Sequence, residues 1–217
     1  MELEPGARLP PKLSSRPSSG VSRPTVREAL RLLAAQGLIR TAKGATGGSY
    51  ITVPTAGHLS DSLRSGIGLL AATRDVSLDE LMEARLLLEV PAARLAARRR
   101  SEAAIEQLRA AIPGKPLALG TREQFVHNRD FHAVVFEAAG NTLFVIAAGP
   151  VFDVLQTHLA RSKLGARFHR SINDHHRSIV AVIEARDEDA AGGEMHDHVE
   201  YLRPYYEKAW REVRSRT

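Results

Sequence analysis

The stretch VSRPTVREALRLLAAQGLIRTAKGATGGSYITV, from Val21 to Val53, decides how this chain begins its fold. Ser22 is suited to cap a helix, Pro24 is tolerated in a first helical turn, and apolar residues then recur at helical spacing until Gly37. LIRTA and GSYITV read as two short strands around the glycine-rich tip KGATGG. A helix followed by a β-hairpin is the second half of a winged helix-turn-helix, and we call the hairpin the wing.

The positive charge of the chain is concentrated in the same region. The net charge is +5, and residues 1–57 contain eight Lys and Arg against three Glu, whereas residues 58–217 contain 22 of each sign. A cationic module joined to a neutral one is typical of a polyanion-binding domain on a separate body, although a solvated basic face is the alternative. Pro54 and Gly57 punctuate the end of the second strand and predict a domain boundary near residue 57.

The composition limits the classes of protein and of site. The chain contains no cysteine, so a metal would have to be held by His, Asp, Glu or amide oxygens. No apolar run reaches the length of a membrane helix, and the N-terminus MELEPGARLPP lacks the apolar stretch of a signal peptide. These observations predict a soluble, cytoplasmic protein.

Beyond residue 57 the pattern is helical. Apolar residues recur every three or four positions, Ser77 and Ser101 are suited to cap helices, and no alternating strand pattern appears. We therefore predict a mainly α protein, with a winged helix-turn-helix over 1–57 and an all-helical bundle over 58–217.

Histidines are concentrated in HNRDFH, NDHH and MHDH. Asn128 and His132 are four residues apart and share one helix face. His176 and His198 are 22 residues apart, with a turn expected midway near Asp187, so an antiparallel helix pair would bring them to the same level. Two such pairs could close on one cation, although nine histidines also produce coincidences and solvated or core histidines remain the alternative.

EPGARLPP, VSRPTVREALRLLAAQGLI and KGATGGSYIT resemble the DNA-binding domain of the GntR family of bacterial transcription regulators. The resemblance implies that the basic helix start contacts phosphates and bases of a double-stranded operator and that the wing enters the minor groove. A helix N-terminus attracts phosphate, and Arg can bind guanine in the major groove. The implied DNA-binding residues are Ser22, Arg23, Thr25, Arg27, Arg31, Lys43, Gly44 and Gly47.

This N-terminal domain departs from the family in two places. The family has a helix ahead of the position of Glu2 that this sequence does not include, and the family's second helix corresponds here to PKLSSRPSSG, residues 11–20. Serines are poor helix formers and an internal Pro costs about 3 kcal/mol, so we expect this helix to be disrupted and the domain to be incomplete.

MEARLLLEVPAARLAA, FHAVVFEAAGN, HRSIVAVIEARDEDAA and MHDHV resemble the all-helical, effector-binding FCD domain of the FadR branch of that family. The resemblance implies a divalent metal ion held by Asn128, His132, His176 and His198. Such a neutral ligand set leaves the full charge on Zn²⁺, Ni²⁺ or Mn²⁺, so a small organic acid is the expected effector.

Two further expectations concern individual residues of this domain. Arg85, in the EAR motif, is expected to bind the carboxylate of the effector, with an ordinary salt bridge to Glu83, Glu89 or an acidic residue of another helix as the alternative. Gly192 and Gly193 are expected to loosen the helix that carries His198 by roughly 1 kcal/mol each.

Together these features predict a ligand-responsive, DNA-binding transcription regulator that works as a homodimer and is not an enzyme. One alternative is a sensor or dimer partner that has lost DNA binding. Another is a metal-dependent hydrolase, against which the chain has no H-E-x-x-H motif.

Overall fold

The computed structural model describes residues 4–10, 21–43, 47–114, 121–159 and 164–214. The chain divides into two compact units, Met1–Leu59 and Ser60–Thr217, close to the boundary predicted near residue 57. Among the described residues, none of the helices is both long and apolar enough to span a bilayer.

The first unit contains the expected helix and hairpin. Helix α1 spans Arg23–Ala35, and strands β1 (Ile39–Ala42) and β2 (Gly48–Ile51) pair antiparallel. The segment around Arg8 adds to the hairpin, because Arg8 bridges Tyr50 across the outer edge of β2. Gly37 adopts φ +70°, a left-handed conformation that favours glycine and ends α1. Residues 11–20, where a disrupted helix is predicted, lie outside the described residues.

All regular secondary structure in the described part of the second unit is helical, which confirms the mainly α fold. It contains seven described helices, the first of which starts shortly before the division between the units. They are α2 (Ala56–Thr73), α3 (Leu78–Arg99), α4 (Glu102–Ala110), α5 (Thr121–Ala138), α6 (Thr142–Leu159), α7 (Ala166–Glu184) and α8 (Glu188–Arg214). Ser77 and Ser101 cap α3 and α4 as predicted, and Ser77 forms a reciprocal capping box with Glu80.

Helix α7 begins at Ala166, before the NDHH motif. The additional turns form because Phe168 and Ile172 are buried on the same face as His176 and Ile179. This extension anchors the N-terminal half of α7 in the core.

Helix α8 continues through Gly192 and Gly193, and the two glycines have different surroundings. A Cβ atom at Gly192 would collide with the guanidinium nitrogen Nε of Arg94 and would lie 3.0 Å from Arg94 Cγ, whereas a Cβ atom at Gly193 meets nothing within 4 Å. Gly192 therefore gives room to a side chain of α3, and only Gly193 is a helix-weakening residue with no packing role.

Candidate functional site

The basic start of α1 is exposed. Ser22 caps the helix by accepting a 3.4 Å hydrogen bond from the Thr25 backbone N–H, and the two hydroxyl groups lie 2.8 Å apart. Arg23 and Arg27 are also exposed, and Arg31 Nη1 lies 3.6 Å from Glu28 Oε2. None of the residues of α1 is buried, and its first residue Arg23 and its N-cap Ser22 are both exposed.

The described part of the wing carries two of the predicted contact residues. Lys43 is exposed, and the carbonyl of Gly47 accepts a close hydrogen bond from the Arg8 guanidinium. Gly44, also predicted to contact DNA, lies outside the described residues.

Three of the predicted metal ligands meet in the core of the second unit. His132 of α5, His176 of α7 and His198 of α8 are buried, and their ring nitrogens lie within 4.8 Å of one another. The Nε2 atoms of His132 and His198 are 3.3 Å apart. Ligand atoms about 3.3 Å apart are what tetrahedral Zn²⁺ requires with bonds of about 2.0 Å. We call these residues the histidine cluster, and their common level agrees with the expected turn near Asp187.

Aromatic side chains fix the imidazole rings of the cluster. Phe131 stacks on His176 with ring centroids 3.8 Å apart, and Phe152 packs against His132 at 4.5 Å. Because these two rings are held by apolar neighbours, the ring nitrogens of His132 and His176 have few alternative positions.

Burial also sets the protonation of the cluster. It lowers the pKa of His132, and it lowers the pKa values of His176 and His198 well below the usual range. The Glu89 carboxylate opposes burial at His132 and raises its pKa, whereas the positive charge of Arg85 lowers the pKa values of all three. The three imidazoles are therefore neutral at neutral pH, which is the form that ligates a metal.

A buried ion pair adjoins the histidine cluster. The guanidinium of Arg85 contacts both carboxylate oxygens of Glu89, and Arg85 Nη1 donates to the Tyr206 hydroxyl at 3.0 Å. Burial by itself lowers the pKa of Arg85 and raises that of Glu89, but their attraction outweighs it, so both are held in the charged form. The pair contributes no net charge to the core.

This ion pair also contacts His132. The Nδ1 atom of His132 lies 2.8 Å from Glu89 Oε2, without the alignment of a regular hydrogen bond, and Arg85 Nη2 lies 3.5 Å from His132 Nε2. A carboxylate at Nδ1 favours the tautomer with its proton there, which leaves the Nε2 lone pair to face His198. Arg85 thus forms the salt bridge with Glu89 that was expected as the alternative to effector binding. Its Nη2 atom also lies beside His132 of the histidine cluster.

Asn128 lies one turn before His132 on α5 and is half-buried. Its amide Nδ2 donates to Gln156 Oε1 at 2.9 Å, and its Oδ1 is buried without a hydrogen-bond partner. Its role as a fourth ligand remains a prediction. The sequence predicts Glu89 only as an alternative salt-bridge partner of Arg85 and not as a neighbour of His132, and no sequence signal connects Gln156 or Tyr206 to the cluster.

An open cavity of about 530 Å³ lies between α2, α5 and α6. Its wall includes the apolar rings of Phe125, Phe136 and Phe152, and it reaches His132. Arg64 and Arg129 line it together with Glu137 and Asp153, so the cavity combines an apolar wall with charged groups of both signs.

Comparisons with known proteins agree with both units. The gntR family of bacterial regulatory proteins matches residues 1–47, and the FCD domain matches residues 80–201. The chain is 27% identical over 203 residues to the HTH-type transcriptional repressor NanR of Enterobacter sp. (strain 638), covering 91% of this chain and 76% of that protein. It is 35% identical over 147 residues to the HTH-type transcriptional regulator LutR of Bacillus subtilis (strain 168), covering 65% of this chain and 63% of that protein.

A solved structure shares the fold. The Streptococcus agalactiae GntR aligns with a TM-score of 0.56 at 22% identity, covering 93% of this chain and 91% of that one. The matched families and relatives are regulators, which decides against a metal-dependent hydrolase. The chain belongs to the GntR family of bacterial regulatory proteins and carries an FCD domain, and it is a DNA-binding transcription regulator.

Proposed function

We propose that this regulator binds a double-stranded operator as a cytoplasmic homodimer and responds to a small organic acid bound at a divalent cation in the FCD unit. The cation is Zn²⁺, Ni²⁺ or Mn²⁺, held by the histidine cluster and Asn128. An acid that binds the FCD unit better in one arrangement of the two DNA-binding units shifts the population toward or away from operator binding. The observation that carries the proposal is the convergence of three buried histidines.

The unpaired nitrogens of the cluster support a cation. His176 Nε2 is buried without a hydrogen-bond partner, and the Nε2 atoms of His132 and His198 face one another at 3.3 Å. An unpaired buried polar atom costs about 1–3 kcal/mol, so these converging nitrogens favour an occupant that uses their lone pairs. A divalent ion bound by neutral imidazoles fits this requirement.

The charge balance supports an anionic effector. Neutral ligands leave the charge of the ion uncompensated, and Arg85 and Glu89 cancel one another. A carboxylate would complete the coordination shell, with Arg85 Nη2, 3.5 Å from His132 Nε2, beside it. The cavity of about 530 Å³ next to His132 offers room for the rest of the acid.

Titration calorimetry with Ni²⁺ on the purified protein tests the cation site. We expect one ion per chain, loss of binding in His132→Ala, and unchanged binding in His196→Ala, which removes an exposed histidine on the same helix as His198. A wild-type protein that binds no divalent ion, or a His132→Ala variant that binds as tightly as wild type, would remove the basis for the site.

Fluorescence anisotropy on the duplex upstream of the protein's own gene, against a scrambled duplex, tests the DNA-binding surface. We expect specific, salt-sensitive binding that Arg27→Ala weakens by about 1–3 kcal/mol. Arg177→Ala, which removes an exposed arginine of the FCD unit, is the control and should have no effect. Equal, weak binding to both duplexes would favour a sensor that has lost DNA binding.

A further inference from the structure

A chain of two hydrogen bonds connects α6 to Asn128 on α5. Gln156, which is 7% exposed, donates from Nε2 to the Phe125 carbonyl at 3.0 Å. The opposite end of the same amide, Oε1, accepts the 2.9 Å hydrogen bond from Asn128 Nδ2. Asn128 Oδ1 is left buried and unpaired.

The donor and the acceptor of each of these two hydrogen bonds are fixed by the chemistry of the groups. A backbone carbonyl can only accept a hydrogen bond, so Gln156 must turn its NH₂ group toward Phe125. Its oxygen must then face Asn128, and because that oxygen can only accept, Asn128 must turn its own NH₂ group toward Gln156. The orientation of both amides therefore follows from one backbone oxygen, and the free group of Asn128 is its oxygen.

We propose that Gln156 is a positioning residue that makes Asn128 present its oxygen, rather than its NH₂ group, to the cation. An amide oxygen can ligate a divalent ion, whereas an amide NH₂ group has no available lone pair and repels a cation. Gln156 supplies the hydrogen bond that holds the side-chain amide of Asn128 in position, and a variant without Gln156 loses that support. The inference rests on the proposed cation site.

A carboxylate in place of the Asn128 amide provides the sharpest test, because its two oxygens are equivalent and need no orientation. Gln156→Met removes both hydrogen bonds at nearly constant volume. In the wild-type background we expect Gln156→Met to weaken Ni²⁺ binding by about 10- to 100-fold, the range typical of residues that orient a ligand. In the Asn128→Asp background the same substitution should change the dissociation constant by less than about 3-fold.

The experiment is titration calorimetry with Ni²⁺ alone on wild type, both single variants and the double variant. Melting temperatures of the metal-free proteins accompany the titrations. Thr157→Ala, which changes the exposed neighbour of Gln156, is the control and should leave the dissociation constant unchanged. A merely structural role of Gln156 would lower affinity equally in both backgrounds.

The outcomes separate the inference from the proposed function. Tight Ni²⁺ binding that Gln156→Met leaves unchanged, or weakens equally in both backgrounds, overturns the role of Gln156 and leaves the cation site intact. A wild-type protein that binds no Ni²⁺ overturns both. A large loss of Ni²⁺ affinity that occurs only when residue 128 is Asn, with similar melting temperatures in the two Gln156→Met proteins, supports Gln156 as the positioning residue for Asn128.

Discussion

At the scale of the residue, Glu89 contacts both the buried guanidinium of Arg85 and the histidine cluster. Its side chain is buried, and it contacts both the Arg85 guanidinium and His132 Nδ1. Arg85 and Glu89, four residues apart on α3, therefore form a pair whose net charge is zero. Removing one member would leave the other as an uncompensated buried charge, which is far more costly than losing an exposed pair.

We predict that Glu89→Ala lowers the free energy of unfolding by about 3–5 kcal/mol in the metal-free protein. Asp174→Ala, which breaks the exposed pair with Arg177, should cost less than about 1 kcal/mol. Urea unfolding followed by circular dichroism measures both. Similar costs for the two variants would mean that Arg85 finds other partners when Glu89 is removed.

At the scale of the element, α8 contains adjacent glycines with opposite roles. Glycine weakens any helix interior relative to alanine, but Gly192 lies under Arg94 of α3 while Gly193 is exposed. The Arg94 guanidinium also pairs with Asp189 in the first turn of α8. The sequence predicts the intrinsic weakness at both positions, and the packing of α3 on α8 distinguishes them.

We predict that Gly193→Ala raises the free energy of unfolding by about 0.5–1 kcal/mol, because only helix propensity changes there. Gly192→Ala should raise the free energy of unfolding by less than this or should lower it, because the added methyl group forces the Arg94 side chain to move. Thermal unfolding of the two variants side by side provides the comparison. An equal gain in stability at both positions would show that the Arg94 side chain moves without a cost in free energy.

At the scale of the whole molecule, the histidine cluster links stability to pH. The unfolded chain binds protons on these histidines near a pKa of about 6.5, whereas burial lowers the pKa values of all three in the folded protein. The unfolded state therefore binds more protons in this range. Stability is then lost as the pH falls through about 6.5, and it is regained as the pH rises.

We predict that the melting temperature of the metal-free protein falls between about pH 7.5 and about pH 5.5, where histidine is the side chain that ordinarily titrates. His176→Gln should reduce this slope, and His196→Gln, at an exposed position, should retain it. Thermal scans in chelator-treated buffer at several pH values measure the slope. A flat wild-type profile would contradict neutral burial of the cluster.

Sequence patterns alone predict the helix and hairpin after Val21, the capped helices of the FCD unit, and the common level of His176 and His198. These features follow from short-range causes: capping, periodicity and helical rise are set by residues close in the chain. The exposed basic tip of α1 followed from the same local pattern.

The side-chain contacts between helices, by contrast, arise when the bundle packs. Glu89 against His132, Gln156 against Asn128, and Tyr206 against Arg85 depend on how each helix is rotated about its axis. That rotation is set by the packing of the whole core, as in the contact between Arg94 and Gly192. No local pattern carries this information, because the partners lie on different helices and meet only when the bundle is assembled.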